Sequence, residues 1–253
     1  MEAAIKMDEI ITTDRYKAAF PDLYHKTDAF YWKQHPQHKF QLLITGHSDC
    51  GITDSLVDHY NPDIWFTVNK ETDRPNVIAL PLGITNNTQQ SYLHTIYGNL
   101  DCMERVMAET LPRTNLVYLN LNVNTFPSER CQVWAQFCEK PWVTVGTIEN
   151  TIPGRTKFLR EIKAHAFVLC PRGAGLDTHR LWETLYMGSI PILKRHVGYK
   201  EFEDLPICFV DDWNEVTEEF LIQEEKRIQE TPYSLEKLKL SSWVRRIQTH
   251  LCP

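Results

Sequence analysis

No stretch of this 253-residue chain approaches the roughly 18 to 20 uninterrupted apolar residues that cross a bilayer. The N-terminal Met-Glu-Ala-Ala-Ile-Lys-Met-Asp-Glu also has no signal-peptide core. A soluble, cytoplasmic protein is therefore expected. Positive charge is in deficit: 27 Lys and Arg face 33 Asp and Glu, a formal net charge of -6. Without a broad basic surface, nucleic acid and anionic membranes are poor main partners. The seven cysteines (Cys50, Cys102, Cys131, Cys138, Cys170, Cys208, Cys252) are odd in number, scattered, and form no C-x-x-C pair. That pattern fits reduced thiols better than a disulfide framework or a zinc site. No internal repeat or low-complexity tract is present, and no G-x-G-x-x-G follows a first strand, which counts against a dinucleotide-dependent oxidoreductase.

What is present is an alternation of short apolar runs and polar loops. Phe40 to Thr45, Ile64 to Val68 and Val77 to Leu82 read as strands, and Leu100 to Leu111 as an amphipathic helix. Pro112-Arg113-Thr114 breaks the chain, and a second series follows: the strand Leu116 to Leu121, a helix carrying Val133, Trp134 and Phe137, the strand Trp142 to Val145, and the helix Arg155 to Ala164. The strand Ile207 to Val210 and two charged helices, Glu215 to Gln229 and Leu235 to Leu251, complete it. This is an α/β pattern in two halves, 1–113 and 114–253, each of a size that forms a compact unit. The last helix is expected to pack back on the first half.

The richest segment runs from Phe167 to Leu193. Phe167 to Cys170 is a strand, Pro171 to Gly175 a glycine loop, Thr178 to Met187 a helix ended by Gly188, and Ile190 to Leu193 a buried strand. Such a βαβ unit sets a loop and a helix N-terminus at the carboxyl edge of a parallel sheet, where backbone N–H groups and the helix dipole favour phosphate. Arg172, Asp177, Thr178, His179, Arg180 and Glu183 cluster around that loop, more polar chemistry than a turn requires.

The run Arg172-Gly173-x-Gly175-x-Asp177-Thr178-His179-Arg180-Leu181-Trp182-Glu183, followed by Gly188-Ser189-Ile190-Pro191-Ile192, resembles the donor-binding segment of exostosin-like glycosyltransferases. Tyr118-Leu119-Asn120-Leu121-Asn122 with Pro127-x-x-Arg130, and Gly46-x-Ser48-Asp49, resemble strand-end loops of the same family. The resemblance implies two Rossmann-like domains facing across a cleft, the GT-B arrangement. The N-terminal domain would be on the acceptor side and the C-terminal one would bind a nucleotide sugar. It implies inverting transfer of a hexosyl or pentosyl group, commonly from a uridine diphosphate sugar, to a carbohydrate acceptor. The chain is short and resembles a minimal soluble version of the family, of microbial or viral type.

Under that resemblance Gly173 and Gly175 let the backbone approach the diphosphate, Arg172 and Arg180 donate to it, and Arg130 is a further candidate. Glu183 accepts from the ribose hydroxyls. Asp177 and Thr178 are either ligand groups or helix caps, His179 either contacts phosphate or packs, and Asn122 either binds ligand or fixes its loop. No paired-carboxylate motif lies nearby, so neither a metal nor a resident cofactor is expected. An inverting transfer needs a base on the acceptor side. Asp49 is the first candidate, with Asp73 as rival and His47 as a base or an orienting group. A non-catalytic nucleotide- or sugar-binding module that kept the loop and lost the base is the alternative.

Overall fold

In the computed structural model, which describes residues 5–26, 40–89 and 91–251, the first half forms a four-stranded parallel sheet in the order β1-β2-β3-β4. Its strands are β1 (Tyr24–Lys26), β2 (Leu42–Gly46), β3 (Ile64–Thr67) and β4 (Val77–Ala79). Because side chains alternate along a strand, the register sorts the apolar residues into two layers. Leu43 lies beside Trp65 and Trp65 beside Val77, and these pack against Val57 and Tyr60 of helix α2 (Asp54–Tyr60). Ile44, Phe66 and Ile78, one register step on, face the opposite way into a second cluster with Tyr16 of helix α1 (Thr13–Ala19). Strands buried on both faces read as unbroken apolar runs, which is why β2 and β3 were legible. The short β1 and helix α3 (Tyr92–Tyr97) were not expected. The segment up to about His38 was expected to be helix and loop, and residues 27–39 lie outside the described ones.

The second half, which begins after helix α4 (Leu100–Ala108), forms a five-stranded parallel sheet. The order is β6 (Val143–Val145), β5 (Asn115–Leu119), β7 (His165–Leu169), β8 (Ile190–Lys194) and β9 (Cys208–Val210). One face, with Val117, Phe167 and Ile192, packs on Val133 and Phe137 of α5 (Pro127–Phe137) and on Leu221 and Ile228 of α8 (Glu218–Glu230). The other, with Tyr118, Val168 and Leu193, packs on Leu159 and Ile162 of α6 (Ile152–Ala164) and on Leu181, Trp182 and Leu185 of α7 (His179–Tyr186). This layer is continuous with Phe66 and Ile78 of the first sheet, so one apolar cluster spans both halves. The α/β class is borne out as two parallel sheets.

The C-terminal helix, expected as one piece, is split into a 3-10 turn (Leu235–Leu238) and α9 (Leu240–Gln248). Helix α9 does pack on the first half: Ser241 N donates to Glu9 Oε2 at 2.9 Å, and the His250 ring meets Phe66 edge-on with centroids 5.3 Å apart. Among the described residues no helix is long and apolar enough to cross a membrane.

Polar groups finish the seam between the halves. Asn69, just past β3, has φ of +55°, a left-handed conformation that asparagine tolerates better than most residues. Its Nδ2 donates to Ser48 O at 2.8 Å and its Oδ1 accepts from Asp177 N at 2.8 Å. The buried Asp177 carboxylate accepts from Leu82 N at 2.8 Å and from Trp182 Nε1 at 2.9 Å. One side chain thus ties the glycine loop before α7 to the first half.

Burial pushes the Asp177 carboxyl from its ordinary 3.8 up to about 7, against the lowering pull of the Leu82, Trp182 and Thr178 N–H groups. Between those values the folded protein keeps a proton that the unfolded chain has released. The stability this carboxyl contributes is therefore full below about pH 4 and is lost as pH rises through about 7. Asp177→Asn stays neutral throughout, and its melting temperature should decline less than that of the wild type from about pH 5 to about pH 8, measured by scanning calorimetry. Parallel pH profiles of the two proteins would refute this.

Candidate functional site

In the second sheet the chain leaves β5 for β6 on one side and returns to β7 on the other. The loops after β5 and β7 therefore diverge, and the crevice outside the carboxyl ends of such strands is where open parallel sheets hold ligands. Arg130 of α5 fastens this crevice from beneath. Its Nη1 donates to Asn122 O at 3.0 Å, Nε to Arg172 O at 2.7 Å, and Nη2 to Pro171 O at 3.3 Å. Burial, and then the nearby charge of Arg180, lower its pKa to about 10, so it stays charged at neutral pH. Three of its five N–H donors are thus engaged by loop carbonyls, while the residue also lines the cleft above them.

Above the loops lies a cleft of about 690 Å³ lined from both halves, by Thr13, His47, Asp49 and Asn86 on one side and by Arg155, Thr178, His179, Arg180 and Glu183 on the other. Its floor carries polar groups without partners. Arg155 has a fully buried side chain (0%) and sits 2.7 Å from Glu183 Oε1 (5% exposed), an ion pair rather than a well-aligned hydrogen bond. The Nε and Nη2 of Arg155, the Nε of Arg180 and the Oγ1 of Thr178 are buried with no hydrogen-bond partner. The Arg155 and Arg180 guanidinium groups lie 5.6 and 5.8 Å from the Phe158 ring centroid. Buried donors left unpaired cost about 1–3 kcal/mol each, more where the group is charged, and a ligand that accepts from them recovers that cost.

The other sequence candidates fall in different places. Thr178 is the N-cap residue of α7, but its side chain makes no cap bond. Asp177 supplies no cap either, since its carboxylate is occupied at the seam. Gly175 lines the cleft, and a Cβ there would lie 2.8 Å from Asn69 Nδ2, so the position also has to be small for Asn69. At Gly173 a Cβ would meet Arg130 Nη2 at 3.3 Å. Arg172 turns away from the cleft, with Nη2 3.1 Å from Glu71 Oε1 and its guanidinium 4.6 Å from the Phe126 ring centroid. Asn122 lines the cleft while its side chain accepts from Asn124 N at 3.0 Å, the loop-fixing alternative.

On the opposite wall, Asp49 is exposed and lines the cleft. Asp73 does not line it; its carboxylate is 73% exposed and pairs with Lys200 at 2.5 Å. His47 lines the cleft with φ of +60° and both ring nitrogens engaged, Nε2 with Asp14 Oδ1 at 2.9 Å and Nδ1 with the Tyr24 hydroxyl at 2.8 Å. His179 has Nδ1 2.8 Å from the Gly83 carbonyl. Among the described residues no three His, Cys, Asp or Glu side chains converge as a metal site.

Arg155 and Asn69 were missed in the sequence. Arg155 had a signal: it precedes Leu159 and Ile162 by four and seven residues, so it falls on the apolar face of its helix, where a charge needs a reason. Asn69 had none beyond its place after a strand. Compared with models of protein families and with curated proteins, the chain matches none.

Lysine cannot span the three carbonyls that the Arg130 fork reaches. Arg130→Lys should lower unfolding stability by about 2 kcal/mol or more in guanidinium titration, as loop carbonyls lose charged donors. A stability equal to wild type would show that the loops do not depend on this clamp.

Proposed function

We propose that the protein is a GT-B glycosyltransferase that moves a hexosyl or pentosyl group, with inversion, from a nucleoside diphosphate sugar to a carbohydrate hydroxyl in the cleft between its halves. A uridine diphosphate sugar is the donor favoured by the family resemblance. The observation that carries the reading is the set of unpartnered buried donors on Arg155, Arg180 and Thr178 at the N-terminus of α7, beside the diverging loops of the second sheet.

Arg130, Arg155 and Arg180 line the cleft together with Asp49, Glu149, Asp177 and Glu183, so the anion is favoured by the local pairing of Arg155 and Arg180 with the α7 N-terminus and its dipole rather than by an excess of positive lining. As a glycosidic bond to a diphosphate breaks, negative charge builds on the departing phosphate oxygens. Fixed donors that need no reorganisation stabilise that charge more than the ground state. In this reading Arg180 meets the diphosphate, Arg155 contributes its charge from beneath the cleft floor, Glu183 holds Arg155 in place, and Arg172 braces the loop from outside. The acceptor enters against the wall of Thr13, Asp49 and Asn86.

A thermal-shift panel of nucleotide sugars should single out a uridine diphosphate sugar, because a ligand bound only by the folded state raises the melting temperature. Arg180→Ala should weaken that nucleotide's binding at least about tenfold in titration calorimetry, on the scale of one charged hydrogen bond. Unchanged affinity would remove Arg180 from the site. Binding without turnover of any donor would leave a nucleotide-binding module in place of a transferase.

Arg155 separates structure from binding. Arg155→Met alone strands the Glu183 carboxylate in the interior and should cost about 3–5 kcal/mol of stability. Pairing it with Glu183→Gln should restore most of that stability in urea titration while nucleotide affinity stays low. Recovery of both would make the pair purely structural.

A further inference from the structure

At the N-terminus of α7 the cleft holds a basic nitrogen that the reading above leaves without a role. His179 opens α7, and its Nδ1 lies 2.8 Å from the carbonyl oxygen of Gly83, across the seam in the first half. A carbonyl only accepts, so Nδ1 carries the hydrogen and Nε2 of the neutral ring carries a lone pair. The hydrogen bond to Gly83 is the only one the ring makes among the described residues, and the half-buried ring lines the cleft. Burial lowers the pKa of the ring and Arg155 acts the same way, while the Gly83 hydrogen bond, Glu183 and Asp49 oppose them. Burial prevails, so the pKa of the ring lies below its ordinary 6.5 and the neutral form is favoured at pH 7. A lone pair repels a phosphate oxygen and accepts a hydroxyl proton, so of the two ligand classes the cleft would take, this nitrogen suits the alcohol.

The other candidates offer less. Both nitrogens of His47 are already bonded, and Asp73 lies outside the cleft. Asp49 is exposed to water at the cleft wall, and its charge reaches the His179 ring. We propose that His179, through Nε2, is the proton acceptor for the attacking hydroxyl, with Asp49 a positioning residue that stabilises the imidazolium formed. The proposal rests on the transferase reading. In the step, the hydroxyl oxygen forms a bond to the anomeric carbon as its O–H bond breaks and the proton passes to Nε2. The bond from that carbon to the diphosphate oxygen breaks with its electron pair leaving on the diphosphate. The imidazolium then returns its proton to water.

The test uses the whole chain and the donor chosen by the thermal-shift panel. Asparagine places its amide near the ring's Nδ1 position, so His179→Asn keeps a donor for Gly83 and removes only the Nε2 lone pair. It should bind nucleotide within about threefold of wild type and lose at least about 100-fold in kcat, the scale of general-base catalysis. Asp49→Asn should lose less than about tenfold in kcat and shift the acid limb of its pH profile to lower pH, since removing a negative neighbour disfavours the imidazolium. The reverse ranking of the two variants, or a His179→Asn protein within about tenfold of wild type, overturns the assignment to His179 alone. A wild-type protein that turns over no donor overturns the transferase reading itself. Nitrogen-15 spectra of wild-type His179 at pH 7 give a measurement that needs neither variant nor turnover: a neutral ring protonated at Nδ1 is expected, and an imidazolium or an Nε2–H ring overturns the proposal.

Discussion

The joint between Asn69 and Asp177 sets the geometry on which the cleft depends. The two sheets are separate, and an apolar layer alone would hold them together without fixing their angle or spacing, because apolar contact is non-directional. The direction comes from hydrogen bonds. Asn69 reaches from the end of β3 to Ser48 on its own side and to the Asp177 backbone on the other, and the Asp177 carboxylate returns the link to Leu82. Ser48, Leu82 and Asp177 all line the cleft. A shift at this joint would move the wall carrying His47 and Asp49 relative to the α7 N-terminus. Gly175 is part of the same joint, since any side chain there would displace Asn69.

Around that joint, polar groups divide into those already satisfied and those left open. Arg130, Asp177, Asn122 and His47 are chemically rich and close to the cleft, yet their hydrogen bonds are made within the protein. Arg155, Arg180, Thr178 and the Nε of Arg172 keep buried groups without partners, and His179 makes its one hydrogen bond through Nδ1. A buried polar group without a partner is rare in folded proteins, and several converging on one cleft are what a ligand site looks like before its ligand arrives. The proposed transfer rests on these residual groups, and the spent ones keep them in place.

Much of this was legible in the chain and some was not. The strands Phe40 to Thr45, Ile64 to Val68, Leu116 to Leu121 and Ile190 to Leu193 announced themselves because both their faces are buried. The turn after Cys170 and the helix from His179 were readable from glycine and apolar spacing. β1 and α3 escaped because three and six residues carry too little periodicity to stand out from a loop. The split of the last helix at Lys239 escaped because the residue is an ordinary helix former. Within the site, the segment Arg172 to Glu183 was found as a whole, but the division of labour inside it was not. Arg172 and Arg180 look alike in sequence, and only the neighbours Glu71 and Phe126 draw Arg172 outward.

By itself the sequence determined the α/β class, the order of most strands and helices, and the placing of a glycine loop before α7. These follow from local periodicity and turn chemistry, which are properties of neighbouring residues. Tertiary structure alone decided which polar side chains remain free. That depends on partners 40 to 110 positions away along the chain, as with Arg130 and Arg172 or Asp177 and Asn69. A hydrogen bond uses up a donor irrespective of sequence distance, so the capacity of this cleft to bind is what remains after the fold has taken its share.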